Sequence, residues 1–505
     1  MLALEDSLPV VIGGANVTRK PRTPEETTEP ADLLAAAVRA AAEDAGLTAA
    51  QLAEADSLDV INLLSWNYAD PTGAVGSRVR MRPSRASYSP IGGDQPTRLL
   101  AAAAARVQRG QSRLAVVVGG ESLRSRRVLG TAGVQPEWTP AGHPPVPYVP
   151  GVGVAGPATA HGLRAPVQVY PMFELARRAA LDATPAQGQR RSAEIQAGLA
   201  RVAARVPGAA VPSAPTPEQI ATPDAANRWV SYPYTKYMCA NSDVDQSAAT
   251  IVTTYGHARA LGVRPDRMVF LWGAAGATDT TDVLERATYA DSAAIAAVLR
   301  DAVQLAGGVP DLLELYSCFP VIPWIAASVL DVPPERELTV AGGLTFYGGP
   351  INAYMSCAAN VMLERLREAG ADATGLLYGN GEYATKHHAL VVSAAPPPGG
   401  VFVEDDEPSR QKAVDAAQRP GPRLEPRPDG AATIESYTVL PGPDGELARA
   451  VVIGRLGDGA RFVAGVADDA ESLPVLTSPD RHAVGLRGTV RHDTTSGLNT
   501  FAPAG

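Results

Sequence analysis

The sequence has only seven histidines and three cysteines, the residue types best suited to acid–base or nucleophilic chemistry near neutral pH. The neighbouring pair His387-His388 is suited to proton transfer near neutral pH, where an unperturbed imidazole titrates. Successive side chains on a strand point to opposite faces, so we expect at most one of the two to face a pocket. The cysteines are Cys239, Cys318 and Cys357, an odd number without a Cys-x-x-Cys pair. Neither a disulfide framework nor a metal site is predicted, and buried apolar positions suit such cysteines.

Composition narrows the classes of partner. The chain has 505 residues, a formal net charge of −9 and a pI of about 5.4. This balance gives no general attraction to nucleic acid or to acidic membranes, so no nucleic-acid partner is expected. No apolar run approaches the roughly 18–20 residues of a membrane-spanning helix. With few cysteines spread along the chain, the expected compartment is the reducing cytoplasm.

The first part of the chain alternates strand and helix patterns. Residues 9–13 (PVVIG) are a short β-branched run between Pro and Gly, which predicts a buried strand. A helix is predicted over residues 30–46, and an Ala-rich helix is predicted to end at Arg109. Further strands are predicted over residues 58–64 and 114–118. This alternation favours an α/β fold with a mostly parallel sheet.

Residues 122–228 interrupt this alternation with Pro- and Gly-rich sequence. Helices are predicted there over residues 170–182 and 192–205. The alternation then resumes with a helix over 246–261, a strand over 268–272, a helix over 292–306, a strand over 311–315, helices over 322–330 and 351–368, and strands over 375–379 and 389–393.

The last part of the chain has a different pattern. Residues 395–400 (APPPGG) mark a domain boundary, because they are unsuited to a sheet interior, and residues 396–430 are expected to be extended. Short strands are predicted over residues 432–440, 448–455, 461–466 and 484–491, separated by Gly turns. This spacing favours a small closed antiparallel barrel similar to an OB-fold, since closure removes exposed strand edges.

Four segments resemble thiolase motifs and follow the order of that family. The segment from Gly92 to Thr97 (GGDQPT) leads into the Ala-rich helix, which Gly110 closes, and Gly-Gly-Glu-Ser ends the next strand at Ser122. By the family spacing, Gly93 stands where thiolases have their nucleophilic Cys. Asp94 is predicted to cap the helix, with a proline in the first turn.

The other three segments also lack the reactive residues of the family. Gly349 stands at the His position of a Gly-His-Pro motif, and Thr339 stands at the Asn position that precedes it. Gly379 stands at the second Cys of a Cys-x-Gly motif. The segment Tyr316-Ser317-Cys318-Phe319 is similar to the His-Asp-Cys-Phe loop of sterol-carrier-protein-type thiolases, with Tyr316 replacing the His.

The resemblance implies the thiolase fold, in which two related β/α halves and a loop domain form αβαβα layers. A further barrel after these halves resembles actinobacterial thiolase-like protein type 1. On this basis residues 1–121 are the N-terminal half, 122–232 the loop (substrate-binding) subdomain, and 233–395 the remainder of that half and the C-terminal half. Residues 396–430 are then a Pro-rich linker and 431–505 the additional barrel.

The glycines at these positions imply that ordinary thiolase catalysis is absent. Without a thiolate no covalent acyl-enzyme forms by the family route, and loss of an oxyanion-hole donor alone costs roughly 100- to 1000-fold. Homology alone would assign an acetyl-CoA acetyltransferase. The leading hypothesis is a binder of acyl-CoA or a related thioester in lipid metabolism, with no other cofactor required.

Two alternatives remain open. One is an acyltransferase with relocated chemistry, for which Cys318, His387 and His388 are the candidate residues. The other is a non-catalytic scaffold subunit that pairs with an active thiolase or another protein. Lys236 resembles a residue at the end of the thiolase loop domain and is a candidate contact for the CoA nucleotide.

Overall fold

Strands and helices alternate up to residue 393, and a group of five strands lies near the end of the chain. The computed structural model describes residues 5–147, 149, 152–154, 156–370, 372–467 and 472–504. Its α-helices are α1 (Pro30–Asp44), α2 (Ala49–Ala53), α3 (Pro71–Arg78), α4 (Gln95–Gln108), α5 (Leu123–Ala132), α6 (Pro157–Ala160), α7 (Pro166–Ala180), α8 (Pro185–Ala203), α9 (Pro217–Ala221), α10 (Tyr255–Ala260), α11 (Ala293–Ala306), α12 (Val321–Val329), α13 (Tyr354–Ala369), α14 (Glu407–Ala417) and α15 (Ser472–Leu476). Its strands are β1 (Pro9–Arg19), β2 (Ser57–Val60), β3 (Arg85–Tyr88), β4 (Leu114–Ser122), β5 (Trp229–Ser231), β6 (Tyr234–Thr235), β7 (Asp245–Thr254), β8 (Val269–Thr278), β9 (Leu312–Leu315), β10 (Thr374–Gly381), β11 (Lys386–Ser393), β12 (Gly430–Pro441), β13 (Leu447–Leu456), β14 (Arg461–Val466), β15 (Arg487–His492) and β16 (Asn499–Pro503).

Nine strands form one mixed sheet in the order β3-β2-β4-β7-β1-β8-β11-β10-β9. Strand β2 is parallel to β3 and β4, and β9 is parallel to β10. The other five neighbouring pairs are antiparallel. The prediction of a mostly parallel sheet is therefore wrong, because β1, β7, β8 and β11 meet as antiparallel neighbours at the centre.

Strand β7 is where the predicted helix over residues 246–261 is wrong. Asp245–Thr254 is a central strand, and only Tyr255–Ala260 is helical. Residues 250–254 (TIVTT) are all β-branched, so their χ1 freedom is restricted in a helix and their side chains pack well on a sheet. The strand is almost completely buried between β4 and β1. Burial on both faces removes the alternating pattern by which a strand is usually recognised.

The sheet folds into two halves that enclose a helical layer. Helix α4 contacts β4 and β7 of the first half as well as β10 and β11 of the second. Helix α13 likewise contacts β7 and β10. On the outer faces α1 packs on β1 and β7, and α11 packs on β8 and β11. The layers therefore run α, β, α, β, α, which confirms the predicted layering.

The last five strands close into a barrel in the order β12-β13-β14-β16-β15. The four predicted strands are present, but β16 (Asn499–Pro503) was not predicted. This fifth strand is short, and Phe501 is its only apolar residue that is fully buried. It pairs in parallel with β14, so the barrel is not wholly antiparallel.

The expectation that residues 396–430 are extended is wrong for their central part. Helix α14 (Glu407–Ala417) lies there, and the Asp406 side chain accepts a hydrogen bond from Ser409 N–H at its start. Arg410 of this helix bonds to Asp301 and Asp405, each at 2.5 Å. Contacts with the α/β body thus stabilise a helix whose own sequence has little apolar character.

The barrel is fastened to the α/β body by buried polar contacts. Arg461 is fully buried and donates to the carbonyl oxygens of Leu284 and Arg286, each at 2.6 Å. Its guanidinium also pairs with Glu435 at 2.6 Å and lies over the Tyr289 ring. In the described part of the chain, no helix is long and apolar enough to cross a membrane.

Candidate functional site

A cavity of about 510 Å³ lies where the start of α4 meets the ends of β9 and β10 and the loop segment before α7. Its apolar wall includes Val146, Pro147, Val152, Pro166, Val167 and Phe319. Its polar lining includes Tyr170, Tyr316, Cys318, Asn380 and Lys386. All of the thiolase-motif segments found in the sequence meet here, and Gly93 and Gly349 also line the cavity.

Tyr316 fills the space in which a side chain at residue 93 would begin. A β-carbon built on Gly93 would lie 2.6 Å from Tyr316 Cζ, closer still to Tyr316 Oη, and 2.5 Å from Asn380 O. Real β-carbons do not approach other atoms so closely. Glycine is therefore required at position 93 for as long as Tyr316 keeps this position.

The other two glycines differ in what the structure demands of them. A β-carbon on Gly379 would lie 3.0 Å from Asp94 Cα and 3.2 Å from Gly93 O, so β10 packs directly against the backbone before α4. A β-carbon on Gly349 would have its nearest neighbours at 3.4 Å, the carbonyl oxygens of Asn241 and Leu344. Position 349 thus has room for a side chain, whereas positions 93 and 379 do not.

Tyr170 and Asn380 form the polar wall of the cavity. The Tyr170 hydroxyl accepts hydrogen bonds from Asn380 Nδ2 at 3.0 Å and Ala384 N–H at 2.9 Å, and donates to Glu382 O at 2.9 Å. Its ring stacks on Phe319 with centroids 4.4 Å apart. Because Nδ2 is directed toward Tyr170, Asn380 Oδ1 is left buried without a hydrogen-bond partner.

Cys318 lines the cavity but is not activated. Its Sγ lies 3.9 Å from Asn380 Nδ2. Burial raises the pKa of the Cys318 thiol to about 12, and its polar neighbours Tyr170 and Asn380 only partly oppose this rise. Burial also raises the pKa of Tyr316 well above its usual value. Both groups are therefore protonated at neutral pH, and neither is a nucleophile as it stands.

Asp94 does not cap α4, contrary to expectation. Its side chain makes no capping hydrogen bond, and its backbone already has helical angles. Its Oδ2 instead pairs with Arg98 Nε at 2.6 Å, while Oδ1 is buried without a partner. Arg98 also binds Glu407 of α14 through Nη1 at 2.7 Å. The start of α4 is thus linked through this arginine to the segment that follows the α/β body.

Comparisons with known proteins agree with this geometry. Residues 411–495 match the family described as the thiolase-like protein type 1 additional C-terminal domain. The crystal structure of a monomeric SCP2-thiolase like protein type 1 from Mycobacterium smegmatis is 26% identical, with 99% of both chains covered and a TM-score of 0.83. The chain has the thiolase fold and the additional C-terminal domain of thiolase-like protein type 1.

More distant structures share only the fold. An Ltp2-ChsH2(DUF35) aldolase is 17% identical over 77% of this chain and 98% of that chain, with a TM-score of 0.57. An acetyl-CoA acetyltransferase from Syntrophomonas wolfei is 16% identical over 77% of this chain and 99% of that chain, with a TM-score of 0.53. No protein of curated function matches the sequence.

The two candidate histidines of this thiolase-like chain lie outside the cavity lining. His387 is fully buried, with Nδ1 2.8 Å from the Tyr378 hydroxyl and Nε2 3.1 Å from Ala384 O. Nε2 therefore carries the proton, because a carbonyl oxygen can only accept. On the other face of β11, burial and the charges of Arg98 and Arg410 lower the pKa of His388 well below its usual value.

Lys236 and the cysteines other than Cys318 are also not among the residues that line the cavity. Lys236 is exposed in a short 3-10 helix and is not among the lining residues. Cys239 and Cys357 are buried free thiols, and burial raises the pKa of Cys357 to about 12. Of the candidate residues, the structure brings together Gly93, Tyr316, Cys318 and Gly349 at the cavity surface, with Gly379 directly behind.

Sequence reasoning missed Tyr170 and Asn380 as site residues. Tyr170 was predicted only as the start of a helix, and Asn380 only as a neighbour of Gly379. Their hydrogen bond joins residues 210 positions apart, so no local pattern indicates it. Lys386 lines the cavity as well, but it pairs with Glu382 at 2.6 Å and donates to Ile91 O at 3.1 Å.

Proposed function

We propose that this thiolase-like chain binds an acyl-CoA or a related acyl thioester without carrying out thiolase acyl transfer. The observation that carries the proposal is the position of Tyr316, whose phenol occupies the space of a side chain at Gly93. A cavity of about 510 Å³ is present although glycines stand at the positions of the family's nucleophile, activating His and second Cys. A site of this kind retains binding surface but has no group for covalent chemistry by the family route.

The lining of the cavity suits an acyl thioester. Its volume of about 510 Å³ lies within the range of roughly 300–1,000 Å³ typical of small-molecule sites. Valine, proline and phenylalanine side chains form one wall, which favours an alkyl chain. Asn380 Oδ1, which has no partner among the described residues, can accept a hydrogen bond from a donor at the polar end of a ligand. Buried unpaired thiols at Cys239, Cys318 and Cys357 support a reducing cytoplasmic location for this proposal.

Binding is tested by melting temperature and isothermal titration with CoA and a series of acyl-CoAs. A ligand present at 100 times its Kd stabilises the folded state by about 2.7 kcal/mol, which shifts Tm measurably. We expect stabilisation by acyl-CoAs without release of free CoA. Absence of both heat and Tm shift with every acyl-CoA would overturn the proposal and direct attention to a protein partner.

A cavity-filling variant makes this test specific. Gly349→Leu adds a side chain at the cavity surface, where position 349 has room for a β-carbon. Gly130→Leu is the matched control, because a β-carbon on Gly130 meets nothing within 4 Å and this residue does not line the cavity. Acyl-CoA binding should weaken at least tenfold in Gly349→Leu and remain unchanged in Gly130→Leu.

Relocated chemistry at Cys318 is the second candidate, since this thiol alone among the described cysteines lines the cavity. Its raised pKa weighs against it unless a bound ligand lowers that pKa. Free-thiol release from acyl-CoA that disappears in Cys318→Ala but persists in Cys357→Ala would establish this candidate. Thiol release that survives in Cys318→Ala would exclude it.

A further inference from the structure

A second cavity of about 520 Å³ lies beside the first and is lined by arginines. It is bounded by the segment between β8 and α11, by α12, and by the residues that follow α14. Its guanidinium groups belong to Arg177, Arg286, Arg300 and Arg419. We name it the arginine cavity. None of its lining residues lines the cavity described above.

The charges of the arginine cavity do not balance. Its four arginines face two carboxylates, Asp279 and Asp291, which leaves an excess of two positive charges on a chain whose net charge is −9. Asp279 is already engaged by the Ser292 hydroxyl, by Gln418 Nε2 at 2.9 Å and by His387 Nε2 at 3.4 Å. The local field therefore favours an anion.

Two of the arginines have no protein partner. Arg300 and Arg419 are exposed at the cavity, and neither side chain has a hydrogen bond or ion pair with any described residue. The buried Arg177 pairs with Asp291 at 2.5 Å, but the Asp291 side chain is 70% exposed. Arg177 Nη1 also donates to Ala290 O at 3.1 Å and Nη2 to Ser328 Oγ at 2.8 Å, so Nε is its one buried nitrogen without a hydrogen-bond partner among the described residues. The free planar guanidinium groups of Arg300 and Arg419 match the oxygens of phosphate.

The start of α11 adds to this arrangement. Ala293 and Ala296 of its first turn line the cavity, and Ser292 caps the helix by accepting from Ile295 N–H. The positive end of the helix dipole faces the same space as the arginines, and Asp279 Oδ1, which accepts from Ala294 N–H at 3.4 Å, already balances part of it. Thr280 and Thr288 also line the space and offer hydroxyl groups.

We propose that the arginine cavity binds a ligand with a doubly charged phosphate or diphosphate group. The inference stands apart from acyl-thioester binding, because it rests on different residues. Two kinds of ligand carry such a phosphate or diphosphate group, namely CoA at its nucleotide end and a separate phosphorylated metabolite. Both are compatible with the excess of two positive charges.

The arginine cavity is connected to the first cavity through Arg286. Its Nη2 donates to Tyr383 O at 3.0 Å, Ala384 O at 2.9 Å and Thr385 Oγ1 at 2.9 Å. Tyr383 lines the first cavity, so one turn of chain separates the two spaces. An anion bound to Arg286 would therefore affect the turn at residues 383–385. The Ala384 N–H of this turn also donates to the Tyr170 hydroxyl.

Inorganic pyrophosphate is the probe for this site, measured by isothermal titration at low salt. Pyrophosphate carries no acyl group, so the result is independent of acyl-CoA binding. We expect saturable binding that weakens about tenfold or more in Arg300→Gln/Arg419→Gln and weakens with added KCl. Both residues are exposed, so the folded state should be unaffected, which Tm verifies.

The matched control is Arg82→Gln/Arg113→Gln, which makes the same change in charge at exposed arginines outside the cavity. Equal weakening in both double variants, or no binding of pyrophosphate at about 10 mM, would overturn the proposal. If the cavity variant also weakens CoA binding tenfold, the ligand is the CoA nucleotide. If CoA binding is unchanged while pyrophosphate binding falls, the ligand is a separate phosphorylated compound.

Discussion

The phenol of Tyr316 occupies the space that a side chain at Gly93 would need. A β-carbon at residue 93 would meet Tyr316 Cζ at 2.6 Å, so the tyrosine and any larger residue at 93 exclude one another. A cysteine at position 93 requires a smaller or displaced residue at 316. Restoring the thiolase nucleophile alone is therefore not compatible with this cavity.

Gly93→Ala should destabilise the fold by about 1–3 kcal/mol, because the added carbon overlaps Tyr316 and the Asn380 carbonyl. Chemical denaturation provides the free energy of unfolding. In Gly130→Ala the new methyl meets nothing within 4 Å, so that helix should become more stable by up to ~1 kcal/mol. Combining Gly93→Ala with Tyr316→Leu should recover part of the loss. Equal effects of the two glycine substitutions would show that Tyr316 does not fill this space.

The Asp94–Arg98 pair predicts a large effect of removing one charge. The Asp94 side chain is 0% exposed, so Arg98→Met would leave a buried carboxylate without its counter-charge. Such a loss typically costs about 3–5 kcal/mol in unfolding free energy. Adding Asp94→Asn should recover most of it.

An exposed pair with the same spacing supplies the control for Arg98. Arg190 and Glu194 also lie four residues apart on a helix, and Arg190 is 76% exposed. Arg190→Met should cost no more than about 0.5 kcal/mol. If the two arginine substitutions have similar effects, then the Asp94 carboxylate is not shielded from water as its 0% exposure indicates.

Local signals predicted those elements whose ends are marked in the sequence. Helix α11 was predicted within one residue, because Ser292 caps it and Gly307 ends it in the left-handed region. Strand β7 was predicted as a helix, because burial on both faces removes polar alternation. Helix α14 was missed, because Arg410 and Asp301 stabilise it from 109 positions apart.

The same distinction between local signals and contacts of distant segments applies to the candidate site. The resemblance to thiolase motifs predicted Gly93, Gly349 and Gly379 at one site, and the structure has their segments at one cavity. Spacing could not show that Tyr316 occupies the room of a nucleophile, since this depends on a contact between distant segments. The hydrogen bond between Asn380 and Tyr170 is equally non-local. Because it uses Asn380 Nδ2, it leaves the amide oxygen Oδ1 without a partner.

Glu121 should make stability fall as pH rises. Burial raises the pKa of this carboxyl to about 7, although hydrogen bonds from Ser65 and Leu64 lower it. An unfolded glutamate ionises near pH 4.3, so between roughly pH 4.3 and 7 the folded state binds more protons than the unfolded state. The unfolding free energy should therefore decline across this window by roughly 2–4 kcal/mol through this one group.

Denaturation of Glu121→Gln from pH 4 to 8 measures that contribution. The substitution cannot ionise, so this part of the decline should disappear, although loss of one of its two backbone hydrogen bonds lowers stability at every pH. The exposed Glu54→Gln should keep the pH profile of the wild type. A Glu121→Gln profile parallel to that of the wild type would show that Glu121 titrates normally.

Arg461 predicts how firmly the barrel is held to the α/β body. In Arg461→Met the carbonyl oxygens of Leu284 and Arg286 lose their donor, and Glu435 keeps only Arg455 as a partner at 2.7 Å. We expect a loss of about 3–5 kcal/mol, because a buried charge network is broken from one side. Limited proteolysis should then cleave between residues 395 and 430 faster than in the wild type.

The control for Arg461 is Arg423→Met. It removes an arginine that is 59% exposed and that pairs, among the described residues, with Glu425 and Asp458, so both stability and cleavage should stay nearly unchanged. Unchanged proteolysis of Arg461→Met would mean that the contacts of Ser436 with Met172 O and of Tyr232 with Val439 O suffice to hold the barrel in place.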